Sequence, residues 1–310
     1  MSAALELLNI FVDNMIPVLA IAAVGVALRR RFHIEPAAIS RMMFYVFSPA
    51  LAFYAVFTQD ISGAEFLRMY LGTLTLLALI ALISYAVLRP QNIRPSERAA
   101  ALVGSFVFNG ANFGLSIVSF AFGAEALSYA VIVYVAGSTV AWTVGVYVSS
   151  KGALSMRAAL RNVLATPVIY ALALAFALKA LGVDELPQAL GRTSRLLADA
   201  AIPLMLVLLG LQLGRFAKPA RWRLVALGTV LRLLLAPLLA VIVAPLFEFT
   251  GPARFAFIVQ AGMPTAVLTL VLAHQFDTDR DLTLSFIVTS TLISPLTLTV
   301  LIYLLQNGII

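Results

Sequence analysis

The sequence predicts an all-α integral membrane protein of ten transmembrane helices, laid out as two five-helix halves. Three observations predict it. First, 62% of the 310 residues are hydrophobic and only 11% are charged, with a mean hydropathy of +1.01, more apolar surface than one soluble core can use. Second, apolar runs of the roughly twenty residues that a span needs follow one another with short charged connectors between them. Third, Pro, Gly and Ser-Thr landmarks recur in the second half at a nearly constant offset.

The runs lie near 7–28, 37–57, 66–88, 99–122, 126–149, 161–181, 195–214, 224–247, 254–275 and 282–305. The first follows Met1-Ser2-Ala3-Ala4-Leu5-Glu6, which lacks a basic leader and a small-residue cleavage site, so it is expected to stay as a span. Alternate connectors differ in charge. Arg29, Arg30, Arg31 and Arg41 mark the first, Arg89, Arg94 and Arg98 the third, Lys151, Arg157 and Arg161 the fifth, and Arg215, Lys218, Arg221 and Arg223 the seventh. The positive-inside rule makes these cytoplasmic. The intervening connectors are mixed or acidic: Asp60, Glu65 and Arg68; Glu125; Lys179, Asp184, Glu185, Arg192 and Arg195; and Glu248 with Arg254. Both termini are then expected outside. The ninth connector, with Asp277, Asp279, Arg280 and Asp281, is net acidic where the rule wants basic residues.

The formal net charge of +7 sits in short clusters at span ends, a topology signal and not the single basic face of a nucleic-acid binder. Without cysteine there is no disulfide framework, Cys-based zinc site or thiol nucleophile. His33 and His274 are far apart, and the spans hold no His-Glu-x-x-His and no paired aspartates. An enzyme, a metal centre and a cofactor are therefore not expected.

Pro17-Val18 recurs as Pro167-Val168, Pro49 as Pro203, Gly114-Leu115-Ser116 as Gly262-Met263-Pro264, and Ser138-Thr139 as Ser290-Thr291. Five spans, an odd number, separate the members of each pair, so residues 151–310 should repeat 1–150 upside down. Inverted repeats of this kind are common in secondary transporters, whose sites lie at broken helices near the midplane. Span four carries Phe108-Asn109-Gly110-Ala111-Asn112-Phe113-Gly114-Leu115-Ser116 and span nine Gln260-Ala261-Gly262-Met263-Pro264-Thr265. Both should be interrupted, and the two breaks should cross.

Each break exposes a half-helix N-terminus whose free N–H groups and dipole favour an anion, so a small organic anion is the expected ligand. The expected binding set is Asn109, Asn112, Gly114, Gln260, Gly262, Pro264 and Thr265, with Asn109 and Gln260 donating to a carboxylate. Arg232, the one cation well inside a span, either snorkels to the cytoplasmic face or attracts the anion or pairs with an acid. His274, Ser138 and Ser290 are coupling or pathway candidates, though hydroxyl pairs in membrane helices more commonly bond across helices. Asp13 and Asp199 read as interfacial. Tyr54, Phe108, Phe113 and Met263 could receive an aromatic acid or simply pack.

The run Gln260-Ala261-Gly262-Met263-Pro264-Thr265-Ala266-Val267, continuing to Leu272-Ala273-His274-Gln275-Phe276 and then Ser290-Thr291-Leu292-Ile293-Ser294, resembles the auxin efflux carrier family in its bacterial members, which are related to the plant PIN carriers. The resemblance covers the whole chain. It carries the family's crossover asparagine onto Asn109 and its second crossover proline onto Pro264, while Ser116 stands where the family usually has the first crossover proline. It implies crossed, broken helices four and nine in a fold like that of sodium/bile-acid symporters, a scaffold from helices 1, 2, 6 and 7, and a transport domain from helices 3–5 and 8–10. Elevator-like movement, a homodimer and a bacterial inner membrane are also implied. Substrates linked to the family include indole acids, malate and malonate. A sodium-coupled symporter of the bile-acid type is the main alternative, disfavoured because no carboxylate lies at mid-depth in spans four, five, nine or ten. A non-transporting sensor would be expected to carry an output domain, for which the sequence offers no candidate.

Overall fold

Three of the five π-helical turns among the described residues stand just before a proline. In the computed structural model, which describes residues 2–150, 156–213 and 221–310, Pro17, Pro49 and Pro237 each follow a π-helical turn, at Phe11–Met15, Met43–Phe47 and Leu231–Leu235. Proline has no N–H to give and its ring crowds the carbonyl four residues back, so the chain takes a wider turn and then continues as helix.

The described residues are helical apart from connectors, and they contain no strand. In chain order the elements are α1 (Ala3–Phe32), α2 (Pro36–Phe57), α3 (Gly63–Leu88), α4 (Pro95–Phe106), α5 (Gly110–Ser149), α6 (Met156–Leu164), α7 (Pro167–Ala180), α8 (Gln188–Leu213), α9 (Trp222–Phe247), α10 (Gly251–Ala261), α11 (Leu268–Gln275) and α12 (Arg280–Gln306). Seven of them, α1, α2, α3, α5, α8, α9 and α12, are long and apolar enough to cross a membrane. The 40 residues of α5 are two arms, because Gly123 leaves helical geometry at φ 77° and ψ −167°. The runs expected at 99–122 and 254–275 are each divided: α4 stops at Phe106 before α5 begins, and α10 stops at Ala261 before α11 begins.

Helices α1, α2, α7 and α8 pack on one another, and α3, α4, α5 and α9–α12 form a second group. The tightest crossing in the first group is between α1 and α8. A Cβ at Gly210 would run into the Ala22 carbonyl, and one at Gly25 into the Val207 carbonyl, so only glycine lets these backbones approach. Outward-facing Leu82, Leu196, Leu238 and Leu296 are more than half exposed, an apolar exterior that fits lipid and would be a liability in water.

Ion pairs sort the connectors into two ends. At one end Arg94 meets Asp279 at 2.9 Å, and the buried Glu97 accepts from Arg94 at 2.9 Å and Arg221 at 2.8 Å. The acidic ninth connector thus shares an end with the basic third and seventh, and its charge is answered by Arg94. Lys151, Arg215 and Lys218 of the basic connectors lie outside the described residues. At the other end Arg68 pairs with Glu248 at 2.9 Å, Lys179 donates to the Gln59 carbonyl, and Arg254 donates to the Ile310 carbonyl at 2.9 Å.

Burial alone would raise the Glu97 carboxyl, but hydrogen bonds from the Arg94 side chain and backbone and the charge of Arg221 outweigh it and hold the pKa below the ordinary 4.5. A depressed folded-state pKa stabilises the fold fully above about 4.5, and that stability is lost as pH falls through the lower folded value. Acid unfolding of the detergent-solubilised protein should therefore show a limb below pH 4.5 that Glu97→Gln flattens. Gly210→Val should lower the melting temperature, corresponding to about 1–3 kcal/mol of overpacking or more, as read by thermal unfolding and the loss of a monodisperse peak.

Candidate functional site

Two chain breaks meet at the centre of the second helix group. Residues 107–109 and 264–266 run antiparallel for one rung: the Asn109 N–H donates to the Pro264 carbonyl at 2.8 Å and the Ala266 N–H to the Val107 carbonyl at 3.0 Å, with Phe108 opposite Thr265. Pro264 is well placed, since it contributes only an acceptor. The Thr265 N–H donates to Ser290 Oγ at 3.1 Å and its hydroxyl to the Gly104 carbonyl at 2.8 Å. Ser290 in turn donates to the Phe286 carbonyl at 2.7 Å.

Four helix ends converge here, and the chain treats the two kinds differently. The C-terminal ends of α4 and α10, negative by their dipoles, share one cation. Arg232 on α9 is fully buried; its guanidinium donates to the Ser105 carbonyl at 3.0 Å and to the Ala261 carbonyl, and lies over the Phe108 ring at 5.7 Å from the centroid. Its Nε has no acceptor among the described residues, and no salt bridge to it is found there. Arg232 therefore neither snorkels nor pairs with an acid. A buried charge is tolerable only with such compensation, and helix-end carbonyls plus an aromatic face supply it.

The N-terminal ends of α5 and α11 face a cavity of about 280 Å³. Ala111 and Asn112 from the first turn of α5, and Val267 and Leu268 at the start of α11, line it. Of the first-turn N–H groups, which lack partners within their own helix, those of Gly110, Thr269 and Leu270 already donate to the Phe108, Ala266 and Val267 carbonyls, which leaves the others for a ligand. The remaining wall includes Met43 and Phe44 of α2, Tyr134, Ser138 and Trp142 of α5, and Gln212 of α8. Three of the π-helical turns, Met43–Phe47, Gly110–Leu115 and Ala141–Gly145, contribute to it. Asn109 is buried at the cavity edge, and its Nδ2 has no acceptor among the described residues. A larger furrow of about 460 Å³ between α9 and α12 is lined by Leu, Val and Pro side chains and suits acyl chains better than a polar solute.

Of the expected binding residues, Asn109, Asn112 and Ser138 line the cavity. Gln260 is fully buried behind it: its Nε2 lies 3.3 Å from both the Gly110 and the Ala130 carbonyls, and a Cβ at Gly114 would collide with its amide. Gly262 turns toward Leu298 and Leu301. Pro264, Thr265 and Ser290 hold the crossing together. His274 is exposed at the end of α11, outside the cavity. The run expected as span four breaks at 107–109, ahead of Gly110, and Ser116 continues the helix. The rung pairs Phe108 with Thr265. Tyr134, Trp142, Phe44 and Gln212 also line the cavity without being expected there; of these only Gln212, a polar residue closing an apolar run, carries a signal in the sequence.

A family model described as membrane transport protein, that of the auxin efflux carriers, matches residues 150–302. An uncharacterized transporter of Methanothermobacter thermautotrophicus is 30% identical over 273 residues, 84% of this chain and 86% of that protein. The chain belongs to the auxin efflux carrier family. A second family relative, an uncharacterized transporter of Methanocaldococcus jannaschii, is 22% identical over 278 residues, 87% of this chain and 89% of its own length. This auxin efflux carrier family member is thus a multi-pass membrane transporter.

Removing the shared cation tests the crossing. Arg232→Met orphans two buried carbonyls at about 1–3 kcal/mol each and should lower the melting temperature in detergent strongly, with Arg232→Lys intermediate. Gly114→Ala should displace Gln260 and destabilise less, read in the same assay.

Proposed function

We propose that the chain is a secondary transporter of small organic anions, sodium-independent, working by elevator-like alternating access. The observation that carries the reading is the pair of helix N-termini, α5 and α11, aimed into one cavity beside the unpartnered Asn109 amide. Such ends favour negative charge, and none of the described residues lining the cavity is a carboxylate that would oppose it. The crossing carbonyls that a coupling cation would use are already engaged, Ser105 and Ala261 by Arg232, Gly110 and Ala130 by Gln260. Among the described residues no cluster of three acidic or histidine side chains could hold a metal ion.

The ten-span, inverted-repeat reading is supported by the division of two runs at the crossing and by the antiparallel rung that pairs one break with the other. In it α1, α2, α7 and α8 are the scaffold, and the group carrying the crossing moves. The cavity lies between the groups, against the ends of α2 and α8 nearest the basic connectors, so by the positive-inside rule it opens inward, with both termini outside. A homodimer held by the scaffold would anchor the motion in a bacterial-type inner membrane.

A thermal-shift screen of mono- and dicarboxylates and indole acids, in sodium and in choline buffer, tests the site. One class should raise the melting temperature, by about 2.7 kcal/mol of stabilisation at a hundredfold excess over Kd, equally in both buffers, and Asn109→Ala should abolish the shift. A shift that requires sodium would favour the symporter, and one that survives Asn109→Ala would move the site elsewhere.

A further inference from the structure

We propose that Arg232 makes the empty carrier positively charged at mid-membrane, so that the membrane potential acts on the return of the empty domain, while a bound monoanion lets the loaded domain cross without net charge. The inference rests on the alternating-access reading above. Among the described residues only two charged side chains are buried, Glu97 and Arg232. Glu97 sits at the first turn of α4, at one end of the molecule, and is answered there by Arg94 and Arg221. Arg232 lies well inside α9 with carbonyls and the Phe108 ring for company and no acid in contact. Carbonyl dipoles offset the cost of burying the guanidinium, yet they carry no net charge, so the +1 remains.

An arginine keeps its proton under all ordinary conditions, which makes this charge permanent. It must also travel with the site. The guanidinium is tied to the last turns of α4 and α10 and to Phe108, which itself borders the cavity. A movement that carries the crossing carries Arg232, and an anion at the start of α5 and α11 adds the opposite charge to the same rigid unit. Moving one elementary charge through the full field shifts an equilibrium by up to about 50-fold per 100 mV, from about 2.3 kcal/mol.

The chain has no cysteine, so Ala111→Cys, at the half-buried cavity wall, provides a single reporter of which side the crossing faces. Membrane vesicles of one orientation, free of organic anions, would be labelled from the external face with a membrane-impermeant maleimide while potassium and valinomycin set the potential. An inside-negative potential should draw the empty domain inward and reduce external labelling several-fold per 100 mV. Arg232→Gln on this background should flatten the response and Arg232→Lys should keep it. Should Arg232→Gln not fold, Thr229→Asp serves: Thr229 is buried one turn before Arg232 with an unpartnered hydroxyl, and a carboxylate there cancels the charge while leaving the guanidinium in place. Labelling from both faces that ignores the potential, or a response that persists once the charge is removed or cancelled, overturns the assignment and leaves alternating access standing. Labelling confined to one face at every potential overturns both.

Discussion

Backbone groups released inside a membrane must find partners within the chain, because lipid offers none and each unmet group costs several kcal/mol. That constraint governs this structure. The runs at 99–122 and 254–275 are each interrupted, and the opposite break or a nearby side chain takes up several of the groups the breaks release. The rung between residues 107–109 and 264–266 uses the Asn109 N–H, the Pro264 carbonyl, the Ala266 N–H and the Val107 carbonyl. Thr265 and Ser290 secure the flanks, and Gln260 fills the space left by Gly110 and Gly114.

The same constraint sorts the four helix ends by charge. The negative ends of α4 and α10 could not stay bare in an apolar interior, and a single guanidinium serves both. The positive ends of α5 and α11 are left toward the cavity, where a solute can meet them. In the proposed reading, one buried arginine thereby satisfies the C-terminal ends while the N-terminal ends face the solute. The π-helical turns that follow from Pro17, Pro49 and Pro237 belong to the same design: one lines the cavity and another carries Arg232.

Much of the architecture was legible in the sequence because lipid imposes length and hydropathy on each span, and because charge marks the connectors. The acidic connector around Asp279 looked anomalous only until its partner Arg94 was placed across from it, a pairing 185 residues apart that no local pattern reveals. The two breaks were legible from the polar and Gly/Pro-rich runs that hold them. Gly114 stood out as a repeat landmark and an expected binding residue, yet its missing side chain makes room for Gln260 while the chain breaks earlier, at 107–109. Arg232 stood out as a charge in a span, but its role depends on two carbonyls from other helices. Asn109 was readable from its amide at depth; Tyr134 and Trp142 were not, since aromatic residues in membrane helices usually pack.

A crystal structure with a halogenated aromatic carboxylate bound, its halogen located by anomalous scattering, tests the division of labour between the helix ends. The carboxylate should lie within hydrogen-bonding reach of the free first-turn N–H groups of α5 and α11 and the Asn109 amide, with Arg232 still donating to Ser105 and Ala261. A carboxylate bound directly to the Arg232 guanidinium, with those carbonyls released, would contradict it.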